Sequence, residues 1–243
     1  MVKEMFKIKI ADTVVEIHNI YSFVETLCKD YIYNGDDSDI IVKSTQDMIE
    51  EERLVSTEEQ SNDPYLENIC VYRQIALELI KRDAFVMHAA TVGIGNRAYA
   101  FTAKSGTGKS THIALWKRLL GDKVYAINGD KPIIKIIDGK AYAYGSPWCG
   151  KEFWNSNVKA ELNGICFLER GEENSIEKLD ISEAASKIMK QILIPKDAEG
   201  VIKTFDLVDQ MLRATNLWKL KCNISMEAAQ LSYKTMHGGI YED

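Results

Sequence analysis

The chain has 243 residues, 46% of them hydrophobic and 27% charged, with a formal charge of -6 and a pI near 5.4. That balance suits one compact domain with a substantial core, or one domain plus a small appendage. The acidic excess argues against a nucleic-acid partner, because backbone phosphates are bound by clustered Lys and Arg. No window approaches the roughly 18 uninterrupted apolar residues that cross a bilayer. The opening Met1-Val-Lys-Glu-Met-Phe-Lys-Ile8 is too charged for a secretory signal, so a cytoplasmic protein without a membrane partner is expected.

Phe6–Ile10 and Thr13–Ile17 alternate apolar and polar residues around Ala11-Asp12 and predict a β-hairpin; Asp39–Lys43 is a third strand candidate. Gln46 to Pro64 is rich in Glu, Asp, Ser, Thr and Gln and reads as a solvated connection. It separates a small β-rich N-terminal unit with its linker, residues 1–64, from a larger domain, residues 65–243. From Tyr65 to Lys81, apolar residues recur every three to four positions, the period of an amphipathic helix. Phe85–Val92 and Arg97–Thr102 then flank Gly93-Ile-Gly-Asn96, a reversal that feeds a glycine-containing loop.

After that loop, Thr111–Leu120 predicts a helix stopped by Gly121, followed by strands at Val124–Ile127 and Pro132–Ile137, the latter turning at Asp138-Gly139 into Lys140–Tyr144. Gly164–Leu168 is strand-like, Ser182–Ile192 and Val208–Ala214 helix-like, Leu217–Cys222 strand-like, and a last helix runs from Met226 to about Met236.

The five cysteines, Cys28, Cys70, Cys149, Cys166 and Cys222, are scattered without a Cys-x-x-Cys pair and read as free thiols. Cys149 stands in an unusual setting, Ser146-Pro-Trp-Cys-Gly150, but no base partner accompanies it. The four histidines show no metal-ligand spacing, and His112, on the loop helix, reads as structural.

The chemistry concentrates at Ser105-Gly-Thr-Gly-Lys-Ser-Thr111. A phosphate loop reads Gly-x-x-x-x-Gly-Lys-[Ser/Thr] between a strand and a helix: its glycines let backbone N–H groups curl toward an anion, and the helix start adds positive potential. Gly106 and Gly108 supply that freedom, Lys109 would reach the β- and γ-phosphates, and the Ser110 hydroxyl would sit on Mg²⁺. Ala103 replaces the first glycine, at a position that needs a small residue more than a flexible one.

With its surroundings this loop resembles the family of HPr kinase and phosphoenolpyruvate carboxykinase. His88 in Met87-His-Ala-Ala-Thr-Val92, the loop Ala103-Lys-Ser-Gly-Thr-Gly-Lys-Ser-Thr111, and Ile127-Asn-Gly-Asp130 after the loop helix carry the resemblance. It covers residues 84 to 150 well and the C-terminal part loosely; residues 1 to 80 lie outside it. The chain is also similar to small HPr-kinase-like proteins, some of which phosphorylate a serine on precursor peptides of modified natural products.

The resemblance implies an α/β fold of mixed sheets, the HPr kinase C-terminal-domain type, with the small β-rich unit appended. It implies ATP and Mg²⁺, the latter on Ser110 and Asp130, with phosphates on Ser105 to Thr111. Asp130 inherits an acidic role and His88 a place near the transferred phosphate. Where the family often has two adjacent carboxylates, Gly129 stands beside Asp130 here. The loop Gly145-Ser-Pro-Trp-Cys-Gly-Lys-Glu152 offers Lys151 to neutralise phosphate charge and Glu152 as a replacement carboxylate, with Trp148 either walling the acceptor site or serving as a buried aromatic anchor. The expected activity is transfer of the γ-phosphoryl group of ATP to a serine-like hydroxyl of a peptide, protein or small metabolite. The alternatives are a non-catalytic nucleotide-binding module in a peptide-modification system, and a carboxykinase-like activity, for which the chain is short. Relatives of HPr kinase assemble, but no oligomeric surface is legible.

Overall fold

A computed structural model describes residues 4–56 and 62–238. The alternating start forms the expected hairpin, β1 (Glu4–Ile10) against β2 (Thr13–Asn19), with Ile10 opposite Thr13. Ala11 and Asp12 take φ of 47° and 56°, the positive pair that a two-residue reversal between twisted strands requires. After the short helix α1 (Phe23–Leu27), β3 (Ile40–Lys43) joins β2 in parallel and completes a three-stranded sheet.

The polar run from Gln46 is not the expected solvated connection. Its first part is helix α2 (Gln46–Val55), started by the Thr45 hydroxyl, which accepts from the Met48 amide. Its buried stripe is narrow, Ile49 and Glu52, and Glu52 pairs with Arg73 of the next helix. So little apolar content hides the helical period from composition. Residues 57–61 of that run lie outside the described residues.

Helix α3 (Asp63–Ile80) begins with Asn62 capping the Tyr65 amide and Pro64 in the first turn, where a missing N–H costs nothing. One face packs Val71, Ile75 and Leu79 into the same core as Ile8, Val15 and Ile17 of the small sheet. The neighbouring Glu67 is wholly buried, and its carboxylate accepts from the amides of Ile20 (2.5 Å) and Tyr21 (2.9 Å) and from the Ser44 hydroxyl. Three donors offset the desolvation of that charge and fasten the sheet to the helix.

The larger sheet contains β4 (Ala84–Val86), β5 (Ala90–Ile94) and β6 (Arg97–Thr102), followed by helix α4 (Lys109–Leu120). Strands β7 (Tyr125–Asn128), β8 (Ile133–Ile137), β9 (Lys140–Tyr144), β10 (Lys159–Arg170) and β11 (Ser175–Lys178) come next. Helices α5 (Ile181–Ile188) and α6 (Ala198–Ala214), strand β12 (Asn216–Cys222) and helix α7 (Met226–His237) close the described chain. The strand order is β4-β8-β9-β10-β6-β5-β7, and β12 lies against β10 with β11 outside it. Strands β6, β10 and β12 are mutually parallel and the remaining pairs of this sheet antiparallel, giving a mixed α/β architecture.

The strand expected over Phe85–Val92 breaks at Met87–Ala89, so His88 leaves the ladder. Because β4 and β5 lie toward opposite ends of the strand order, those few residues bridge the ends and the sheet must curl. The Met87 and Ala89 amides donate across the gap to the carbonyls of Pro132 (3.1 Å) and Asp130 (3.0 Å). Inside the curl lie Phe85, Ala98, Ala100, Ile127, Ile134 and Ile165, covered by α5 and α6 through Ile188, Leu207 and Met211. Two helix expectations shift. The Ser182–Ile192 helix stops at Ile188, freeing Gln191 and Ile192 to pair with the 87–88 segment, and the Val208–Ala214 helix starts earlier, at Ala198, where Asp197 caps the Gly200 amide. Strand β11 escapes the pattern because it is a largely exposed edge.

Helix α4 packs Ile113, Trp116 and Leu120 against β5, β6 and helix α7. Here His112 is structural, as expected. The Ser232 hydroxyl donates to the Ala229 carbonyl (3.0 Å) and accepts from Trp116 Nε1 (2.8 Å), so the His112 Nε2 2.9 Å away is its second donor. Burial lowers the His112 pKa to about 4. Because the unfolded chain then binds a proton that the folded chain refuses, stability contributed by neutral His112 is complete above pH 6.5 and is lost as pH falls toward 4, by roughly 3 kcal/mol. In urea titrations across that window His112→Gln should show a shallower loss of stability than the unaltered protein; parallel curves would refute the assignment.

Candidate active site

The Ser105–Thr111 run begins in the loop between the end of β6 and the start of α4, the setting that a phosphate loop would need. Gly106 and Gly108 adopt φ of 75° and 122°, whereas Ala103 has no positive φ and packs into the core below. The loop thus needs glycine's freedom at the two positions that have it and a small buried residue at the third. Gly108 caps α4, whose first N–H groups face the loop without intrahelical partners. Lys109 is buried and reaches back to the Ala103 carbonyl (3.4 Å). Burial lowers its pKa; the charge of Asp130 opposes that shift and Lys131 adds to it.

Asp130 follows β7 in a turn built by Asn128, whose Oδ1 accepts from the amides of Asp130 (2.8 Å) and Lys131 (2.6 Å). His88 Nε2 lies 3.1 Å from Asp130 Oδ1, and Lys131 Nζ 3.5 Å from Oδ2. Burial acts to raise the Asp130 pKa, but the His88 hydrogen bond and the charges of Lys131, His88 and Lys109 outweigh it and leave the carboxyl below its ordinary range. His88 is itself held on several sides. Its amide donates to the Gln191 carbonyl (2.7 Å), its carbonyl accepts from the Thr102 hydroxyl at the end of the loop strand (3.0 Å), and its Nδ1 faces the Gln191 side chain (3.0 Å). The structure therefore brings His88, Asp130 and Lys109 into one electrostatic cluster.

The loop from Gly145 to Trp154 packs against this turn. The Asn128 Nδ2 donates to Ser146 O (2.9 Å) and Oγ (3.0 Å), and the Gly129 amide donates to the Trp154 carbonyl (2.7 Å). Trp148 takes the anchoring role: it is buried, its Nε1 donates to Asn68 of α3 (2.9 Å), and its ring lies 5.3 Å from that of Tyr72. The Cys149 thiol accepts from Asn155 (3.1 Å) and burial raises its pKa, which suits an inert thiol. Lys151 and Glu152 are exposed on the turn. Gly150, at φ 81°, opens toward both acids: a Cβ there would lie 3.7 Å from Asp130 Cγ and 3.6 Å from Glu152 Oε2. Glu152 consequently faces the same space as Asp130.

The missing adjacent carboxylate has a steric cause. A Cβ on Gly129 would stand 2.7 Å from the Cys149 carbonyl oxygen. The packed loop fills the room that a second side chain would need.

A cavity of about 440 Å³ adjoins the loop and is lined by Gly108, Thr111, Leu115, Leu168, Arg170 and Ile224. Sequence reading passed over Asn128, Gln191 and Arg170. The Asn-Gly-Asp run did carry a signal for the first, since Asn before a glycine favours side-chain capping of the following amides; the other two meet the site only through folding. Among the described residues no group of three His, Cys, Asp or Glu side chains could hold a metal, and no helix is long and apolar enough to cross a membrane.

No family model matches the chain, and no curated protein matches it. Among solved structures it is similar to the Hpr(Ser) kinase/phosphatase from Coxiella burnetii, with 14% identity and a TM-score of 0.35, over 63% of this chain and 95% of that one.

Gly129→Ala should force the Cys149 carbonyl aside at about 1–3 kcal/mol, read as a lower urea midpoint at unchanged slope. A midpoint equal to that of the unaltered protein would show that the loop yields freely.

Proposed function

We propose that the chain is an ATP-dependent kinase of the HPr-kinase-like type that phosphorylates a serine-like hydroxyl, on a peptide, a small protein or a metabolite. The observation that carries this reading is the His88–Asp130 pair, fastened by Thr102 to the very strand that ends in the phosphate loop. A phosphate loop alone serves many NTP-binding proteins; a half-buried, ionised acid that a histidine aims within the field of the loop lysine supports transfer to an acceptor.

In this reading the amides from Ser105 to Thr111 and the Lys109 ammonium cradle the phosphates. Ser110 and Asp130 are a hydroxyl and a carboxylate, hard oxygen donors of the kind Mg²⁺ prefers, and that ion fills its shell mainly with water and phosphate oxygens, so no larger protein cluster is needed. Held there, Mg²⁺ would supply neutralisation of the charge on the transferring group. Asp130 receives the acceptor's proton as the hydroxyl oxygen bonds to γ-phosphorus and the bond to the β-bridging oxygen breaks. His88 holds the carboxylate in direction, and Lys131 keeps it ionised. Glu152, facing the same space from across Gly150, takes the place of the absent neighbour as an outer carboxylate, and Lys151 beside it adds positive charge at the mouth. The cavity beyond Thr111 has room for a base and sugar.

The test is calorimetry with MgATP and ³²P transfer to serine peptides encoded near this chain's gene. Lys109→Ala should weaken nucleotide binding by about tenfold or more, as expected for loss of a charge-assisted contact of roughly 1.5–3 kcal/mol. Asp130→Asn should bind MgATP and transfer at least about a hundredfold more slowly, the usual scale for a proton acceptor. Transfer by both variants at the rate of the unaltered protein would sink the kinase reading, while tight binding with no transfer by any form would leave a nucleotide-binding module.

A further inference from the structure

The phosphate loop contains two glycines at positive φ, and a segment with that freedom holds its amides toward an anion only if something restrains it. The restraint comes from outside the motif. Strand β10 runs parallel to β6 with Phe167 beside Thr102, so its last residues, ending at Arg170, continue past the strand end alongside the loop, where Arg170 also lines the cavity next to Gly108 and Thr111. There the Arg170 guanidinium donates from one nitrogen to the Gly106 carbonyl and from Nε to the Thr107 carbonyl at 3.5 Å. The end of β10 is itself fixed: the Gly171 amide donates to the Cys222 carbonyl (2.9 Å), and Glu169 pairs with Lys187 of α5 (3.0 Å).

The carbonyl and N–H of one trans peptide unit point in opposite directions. The Thr107 carbonyl shares its unit with the Gly108 N–H, so a cation on the carbonyl side turns that N–H toward the loop's interior and strengthens its positive end. The Gly106 carbonyl shares its unit with the Thr107 N–H, which is already committed to the Lys104 carbonyl (3.2 Å). The planar fork therefore grips two successive carbonyls, one from a unit that closes the loop and one from a unit that faces the anion. A lysine carries its donors on one rotatable point and lacks the planar fork that fixes the two carbonyls relative to each other.

We propose that Arg170 is a positioning residue of the nucleotide site, a brace from β10 that sets the phosphate loop in its anion-binding shape from the carbonyl side. This rests on the reading that the loop binds a nucleoside triphosphate. Arg170→Ala should raise the Kd for MgATP by about tenfold, the equivalent of one charge-assisted hydrogen bond, with the melting temperature nearly unchanged. KM for ATP should rise while kcat changes far less. Hydrogen exchange of the 105–110 amides should quicken in the nucleotide-free variant, Arg170→Lys should recover part of the affinity, and added guanidinium ion should recover part of it in the alanine variant. Should the alanine variant fail to fold, the lysine variant carries the test through its intermediate Kd and exchange rates. An unaltered protein that binds MgATP together with an Arg170→Ala variant that binds it equally overturns the brace alone. An unaltered protein that does not bind MgATP overturns both the brace and the reading beneath it.

Discussion

The side-chain amide of Asn128 is the constraint on which the candidate site depends. It is wholly buried, and each of its hydrogen-bonding positions is used: the oxygen by the amides of Asp130 and Lys131, the nitrogen by the carbonyl and hydroxyl of Ser146. Leaving any one of these groups unpaired in the interior costs about 1–3 kcal/mol, so the turn and the Gly145–Trp154 loop are locked as a unit. The direction of Asp130, the closeness of the Cys149 carbonyl to Gly129 and the placement of Glu152 across Gly150 all follow from that lock. The shape of the acidic side of the site is thus a property of one amide.

The charges around Asp130 form a set rather than a series of pairs. His88, Lys131 and Lys109 each favour the ionised carboxyl, against a burial that opposes it. The resulting acid is a weak base in solution terms, yet the proposed phosphoryl transfer would ask little of base strength: the acceptor oxygen would lose its proton as the phosphorus bond forms, and the main demand on the protein would be placement. Holding a carboxylate ionised and aimed, with a histidine on one oxygen and a lysine near the other, meets that demand better than raising its pKa would.

Much of this was legible in the chain. The hairpin around Ala11-Asp12, the glycine turn at residues 103–108 with the helix after it, and the Asp138-Gly139 reversal are local events, in which neighbouring residues carry both the pattern and its cause. His88 and Asp130 were legible as candidates through resemblance, but their contact was not, since it depends on the sheet curling until the two ends of its strand order meet. The break in the strand at Met87–Ala89 is invisible to alternation because those residues stay buried or nearly so while leaving the ladder. Helix α2 was missed for the opposite reason: a stripe of Ile49 and Glu52 is too thin to register as periodicity, and its burial rests on Arg73 from another element. Arg170 and Gln191 belong to the same class, ordinary surface residues by sequence that acquire meaning only from what folds beside them.

Glu67 and the apolar face of α3 carry a consequence for how the molecule can be divided. A protein trimmed to residues 65–238 would leave Val71, Ile75 and Leu79 wet and strip the Glu67 carboxylate of the Ile20, Tyr21 and Ser44 donors that make its position tolerable. Such a fragment would clump. The same helix presents Asn68 to Trp148, so the small sheet stiffens, from behind, the wall against which the acidic turn leans.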